Sequence, residues 1–125
     1  MLNARSVAHG AESASAVSVQ ALFSRLGISE EIKPRLRPLG PGLQSKSVAS
    51  GETEMFVTVV PNIVSARGVE LVGSFPRELQ TYTTFAAAVS ARAMEPDAAR
   101  QVISLLISSA AREMLKSRGM DSGAP

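Results

Sequence analysis

The chain has 125 residues, of which 45% are hydrophobic and 19% charged, a length that fits one domain and a balance too apolar for a disordered chain. It has no Cys and one His, which excludes disulfide scaffolds, thiolate metal sites, thiol nucleophiles and His-rich metal clusters. Thirteen basic residues against eleven acidic give a net charge of +2; the bases are scattered, and the densest group, Lys33-Pro34-Arg35-Leu36-Arg37, lacks the interleaved aromatics of a nucleic-acid surface.

Aromatic residues make up only 4% of the chain, so the core is expected from Ala, Val, Leu and Ile. No apolar run approaches the ~18 residues of a spanning helix. The opening Met1-Leu2-Asn3-Ala4-Arg5-Ser6 has no apolar stretch of the kind found in secretion signals. As written, the chain is expected in the cytoplasm, or as a piece of something longer.

Arg5 to His9 reads as a short strand broken by Gly10. The Ser/Ala segment Glu12-Ser13-Ala14-Ser15 supplies a helix N-cap. Val19, Leu22, Phe23 and Leu26 then recur at the spacing of one helix face, with Gly27 as the C-terminal stop. Ile28 to Pro38 is a connector with a short strand around Arg35–Leu39, and Gly40-Pro41-Gly42 is a turn. Leu43 to Ser50 is expected as a short helix stopped by Gly51.

The β-branched, nearly all-apolar run Met55 to Val60 predicts a strand buried on both faces of a parallel sheet. Pro61-Asn62 ends it, and Ile63 to Ala66 forms one helical turn. Further strands are predicted at Val69-Glu70-Leu71-Val72 and from Tyr82 to Ala91. Glu95-Pro96-Asp97 opens a helix, with Pro96 at its first position and acids at the positive end of its dipole. Ala99, Val102, Ile103, Leu106 and Ala110 mark its buried stripe. Ser108-Ser109 provides a new N-cap, after which Ala111, Met114 and Leu115 pack and Gly119 ends the last helix. Alternating strands and helices predict an α/β fold with a largely parallel sheet flanked by helices.

No enzyme constellation is present. The P-loop pattern is absent, and Gly40-Pro41-Gly42 reads as a plain turn. His9 near Glu12 has no nucleophile to serve and reads as a strand-end histidine beside a capping acid. The pairs Glu30-Glu31 and Glu52/Glu54 read as solvated surface. The segment from Gly10 to Ser15 is the one with chemical promise, because a strand entering a helix through small residues presents backbone N–H groups that accept an anion without a charged side chain. Ser13 and Ser15 add hydroxyl donors. Ordinary capping explains the same residues and is the commoner case, since most helix starts bind nothing but a cap or water. Tyr82, the single tyrosine, reads from its spacing as a strand-start residue at a sheet edge, though it can also carry a phenolic O–H into a cleft.

The run Gly68-Val69-Glu70-Leu71-Val72-Gly73-Ser74-Phe75-Pro76-Arg77-Glu78-Leu79-Gln80-Thr81-Tyr82-Thr83-Thr84-Phe85 resembles a stretch of the extracellular solute-binding proteins of the molybdate transporter type. Glu95-Pro96-Asp97-Ala98-Ala99-Arg100, Ile103-Ser104-Leu105-Leu106 and Lys116-Ser117-Arg118-Gly119-Met120 resemble that family's C-terminal helices. Ser6-Val7-Ala8 to Leu26-Gly27-Ile28 is similar to the strand, oxyanion loop and helix that open its second lobe, and Gly51-Glu52-Thr53-Glu54 to its turn before a buried strand.

The resemblance implies a type II periplasmic-binding-protein-like lobe with the first lobe missing. It implies a second-lobe α/β unit over about 4–81, and a hinge-return strand with C-terminal helices over about 82–120. The implied function is that of an ABC-transporter solute-binding protein, not an enzyme, with a small oxyanion such as molybdate as ligand, no cofactor, and a transporter permease as partner in the periplasm. The implied ligand-binding residues are Ser13, Ala14 and Ser15 in the loop, Thr58 or Val59 at the end of the buried strand, and Tyr82. Without a first lobe to cover it, the stripe of Val102, Ile103 and Leu106 is expected to be exposed and to drive homo-oligomer formation. The alternative is a remnant that binds no anion and serves as an oligomeric interaction module.

Overall fold

Three parallel strands carry the first part of the chain in the computed structural model, which describes residues 3–11 and 14–121. They are β1 (Val7–Gly10), β2 (Leu36–Leu39) and β3 (Met55–Val57), in the order β2-β1-β3. Val7 lies opposite both Leu36 and Met55, and His9 opposite both Pro38 and Val57. The middle strand β1 is buried along its whole length, as expected of a strand covered on both faces.

Helices α1 (Ala14–Arg25), α2 (Ser29–Ile32), α3 (Leu43–Ala49) and α4 (Val60–Val64) fill the connections, with a 3₁₀ turn at Lys33–Arg35. The chain therefore runs β1-α1-α2-β2-α3-β3-α4. Because β2 and β3 lie on opposite sides of β1, and parallel crossovers are right-handed, α1 and α3 cover opposite faces of the sheet. The α/β class and the parallel sheet expected from the sequence are thus observed.

The α1 helix buries Ala16, Val19, Leu22 and Phe23, each no more than 7% exposed. Val19 and Phe23 pack with Val7, Ile32 and Val57 into one apolar cluster, which Ala4, Ile28, Leu36 and Met55 extend. Gly27 stops α1 as expected: at φ +68° its N–H donates to Ser24 O at 3.1 Å and the Ile28 N–H to Phe23 O at 3.0 Å, the two bonds of a Schellman cap. Leu26 lies beyond the last helical turn and is 41% exposed, so it does not join the predicted stripe.

At the amino edge of the sheet, the Arg5 N–H donates to Glu54 Oε2 at 2.6 Å and the Glu54 N–H to Ser6 Oγ at 3.1 Å. These bonds tie the entry of β1 to that of β3. Behind them the hydroxyls of Ser47 and Thr53, both buried, hydrogen-bond to each other.

Three predicted strands require correction. The β3 strand ends at Val57 instead of Val60, because Pro61 takes the second position of α4 and its fixed φ suits a helix start. Neither Val69–Val72 nor Tyr82–Ala91 forms a strand. Val72 is fully exposed and Phe85 is 74% exposed. Side-chain preference alone does not make a strand; it needs a neighbour to pair with, and neither segment joins the sheet. Conversely, the connector after Gly27 holds a helix turn, α2, that buries Ile32 completely.

The chain divides into two compact units, Met1–Thr83 and Thr84–Pro125. The second contains α5 (Pro96–Leu106) and α6 (Ser109–Ser117). Pro96 stands in the first turn of α5, and Asp97 pairs with Arg100 at 2.6 Å. Ser108 caps α6 as expected, its Oγ accepting from the Ala111 N–H at 3.2 Å. No described residue of this unit is buried: of the stripe, Val102 is 57% and Leu106 50% accessible, while Ala99 and Ile103 are half-buried. Among the described residues, no helix is long and apolar enough to cross a membrane.

Candidate functional site

Three parallel strands end at one edge, and each is followed by a helix that starts there. The β1 strand runs into α1, β2 through Gly40-Pro41-Gly42 into α3, and β3 through Thr58-Val59 into α4. Open parallel sheets bind ligands outside the carboxyl ends of their strands, where successive connections leave to opposite faces. In the order β2-β1-β3 that point lies between β1 and β3.

A cleft of about 410 Å³ occupies this position. Gly10, Ala11 and Ser15 line it from the β1 side, Phe56, Thr58, Asn62, Ser65 and Ala66 from the β3 side, and Leu39, Pro41, Gly42, Gln44 and Ser45 from the β2 side. No charged residue lines it among the described residues.

Its polar character comes from hydroxyls, amides and backbone. The Asn62 Nδ2 donates to Thr58 Oγ1 at 3.1 Å, which occupies a lone pair of the hydroxyl and leaves its proton to donate. The Leu39 carbonyl accepts from both the Ala11 N–H and the Gln44 Nε2, each at 3.0 Å, so the loops after β1 and β2 are joined at the cleft wall. Gly42 sits at φ +73° immediately before α3, a conformation that L side chains rarely adopt. The α1 helix presents its positive end beside the cleft, with Ser15 in its first turn on the wall. First-turn amides have no carbonyl partner within their own helix.

A second hollow of about 470 Å³ lies at the opposite edge, lined by Arg5, Ser6, Glu52, Thr53 and Glu54 among others. It is slightly larger, but its Arg5 and Glu54 side chains pair with each other at 3.8 Å, and it lies at the amino ends of the strands. The carboxyl-edge cleft is the site candidate on topological grounds. Among the described residues no group of three or more His, Asp or Glu is placed to hold a metal ion.

The structure distributes the sequence-predicted residues unevenly. Ser15 and Thr58 line the cleft from its two sides and are half-buried. Val59 is half-buried as the residue preceding α4, with extended backbone, and is not on the wall. Tyr82 is 76% exposed and is not among the residues that line the cleft. Ser13 and Glu12 lie outside the described residues, as does the side chain of Ala14, whose backbone opens α1. His9 is buried within β1, its Nδ1 donating to Gly10 O at 3.0 Å, which fits a structural histidine. Sequence reasoning missed Gln44, Ser45, Asn62 and Ser65. The available signal was topological: once Leu36–Leu39 and Met55–Val57 are parallel neighbours of β1, the residues after them must share its carboxyl edge.

Residues 4–121 match the model of the family described as bacterial extracellular solute-binding protein. The chain is also 23% identical, over 117 residues, to an aconitate isomerase from a Pseudomonas species; the match takes in 94% of this chain and 45% of that protein. The chain therefore spans about half the length of this curated relative. No solved structure matches it.

Proposed function

The chain belongs to the bacterial extracellular solute-binding protein family, and from that premise we propose that the carboxyl-edge cleft receives a small oxyanion. The observation that carries this reading is a wall of hydroxyls, amides and backbone, free of charged residues among those described, beside the positive end of α1. Such dipoles hold an anion by orientation, without an opposing charge. Ser15 and Thr58 contact the ligand from the two sides of the cleft. Tyr82 reaches the ligand only if the segment that carries it moves.

Molybdate is the ligand to which the resemblance points. The name of the aconitate isomerase relative points instead to a small polycarboxylate; both are oxyanions in the sense used here. We read the role as binding, since no acid, base or nucleophilic pair is assembled on the wall among the described residues. The family's description as extracellular supports a site of action outside the cytoplasm, and the partner proposed to take over the solute is the permease of an ABC transporter.

The test is thermal: melting followed with molybdate, tungstate, sulfate, phosphate and citrate. An anion at ~100 times its dissociation constant adds about 2.7 kcal/mol, a shift of several degrees for a domain of this size. If none of these anions moves the melting transition, the oxyanion reading fails.

A second reading is favoured by one observation, the absence of any buried residue among the described residues of the unit that holds α5 and α6. In it the chain acts through association, a second copy covering Val102, Leu105, Leu106 and Ile107. An apolar stripe of this kind marks an interaction surface, and association is compatible with a functional cleft.

A further inference from the structure

Three side chains on the wall of the cleft have already directed a donor into the protein. Gln44 Nε2 donates to Leu39 O at 3.0 Å, Ser65 Oγ to Pro61 O at 2.6 Å, and Ser45 Oγ to Gly42 O at 3.4 Å. Each partner is a backbone carbonyl, which only accepts, so the direction of all three bonds is fixed. A hydroxyl has one proton; with it engaged, Ser45 and Ser65 offer the cleft lone pairs only. Gln44, with one N–H held at Leu39, keeps Oε1 as an acceptor beside its second N–H. The cleft thus sets acceptors from the α3 and α4 sides against donors from the Thr58 hydroxyl and the first turn of α1.

An anion without hydrogen satisfies only the donors and brings its negative oxygens against the lone pairs of Gln44, Ser45 and Ser65. An anion that carries its own O–H satisfies both sets. A site that pairs with a ligand hydroxyl discriminates against the analogue that lacks it, because its acceptors, half-buried at Gln44 and Ser45 and exposed at Ser65, then face a negative oxygen instead of a proton.

Resting on the reading of this cleft as the solute site, we propose that its preferred ligand is an oxyanion bearing its own O–H, a hydrogenphosphate or a hydroxycarboxylate, and not a fully deprotonated oxyanion such as sulfate or molybdate. The O–H donates toward Gln44 and the two serines while the charged oxygens face Thr58 and α1.

Two matched pairs, titrated calorimetrically at neutral pH, test this. Phosphate and sulfate are both tetrahedral and differ in a proton; citrate and tricarballylate differ in a hydroxyl. In whichever pair binds, the O–H-bearing member is expected to bind about tenfold tighter or better. Gln44→Met keeps the length of the side chain and removes the acceptor, and should shrink that ratio. Ser65→Ala, at an exposed position, provides a second variant should Gln44→Met fail to fold. Equal affinities within a pair, or tighter binding of sulfate or tricarballylate, overturn the proposal while leaving the cleft as an anion site. A ratio that both folded variants leave intact also overturns it. Binding of none of the four anions overturns the solute-site reading itself, and this proposal with it.

Discussion

Asn62 and Thr58 are joined across the first turn of α4 by a hydrogen bond of 3.1 Å from the amide Nδ2 to the hydroxyl Oγ1, and both line the cleft at the carboxyl edge of the sheet. The bond sets the polarity of the site: with a lone pair of Thr58 occupied, the proton of that hydroxyl is the group offered to a ligand. Thr58→Val conserves the shape and removes the donor. A hydrogen bond to a charged group contributes about 1.5–3 kcal/mol, so the variant should bind its anion at least about tenfold more weakly. Titration calorimetry with the tightest-binding anion measures this, and an unchanged affinity would remove Thr58 from the site.

Phe23 and Leu26 occupy neighbouring turns of the same predicted stripe, yet Phe23 is 2% exposed and Leu26 41%. Phe23→Ala is expected to cost about 3–5 kcal/mol, the range for a buried aromatic truncation. Leu26→Ala should cost well under half as much. Urea unfolding of the two variants side by side checks the ranking, and equal losses would contradict the packing described.

Gly27 ends α1 at φ +68° with both bonds of its cap in place. A Cβ there meets no atom within 4 Å, so the expected cost of Gly27→Ala is conformational alone, about 1–2 kcal/mol. A loss much larger than this in urea unfolding would mean that the cap region packs more tightly than the structure shows.

The exposed stripe on α5 and α6 carries the second reading. If copies associate through it, Leu105→Glu should shift the chain toward monomer in light scattering across a dilution series. The oxyanion response of the cleft should persist in that variant, since α5 contributes no residue to the wall. An unchanged mass distribution would exclude Leu105 from any such interface.

Several features were legible in the sequence because their causes are local. Gly27 announces a helix stop by the conformation it allows, Ser108 announces a cap by its hydroxyl, and Val19, Leu22 and Phe23 announce a buried face by their spacing. Ser15 was a candidate through the small-residue loop, and Thr58 or Val59 through what the resemblance implies; Ser15 and Thr58 line the cleft. The failures have non-local causes. Val69–Val72 and Tyr82–Ala91 have strand-like composition, but no neighbouring strand accepts them. Ile32 is fully buried because α2 tucks it beneath α1, which no periodicity in a four-residue helix can reveal. Gln44, Ser45 and Asn62 are ordinary polar helix residues and Ser65 caps a helix; only the order of the strands brings them to one cleft.

The central claim is that an oxyanion is held between the loops after β1 and β3. Titrating the ¹⁵N-labelled chain with phosphate and with molybdate, and following the backbone amide resonances, tests it most directly. Saturable shifts concentrated at Gly10, Ala11, Ser15, Thr58 and Asn62 are predicted for at least one of the two anions. Amides that stay unmoved there under both, or that shift instead around Arg5 and Glu54 at the opposite edge, would contradict it.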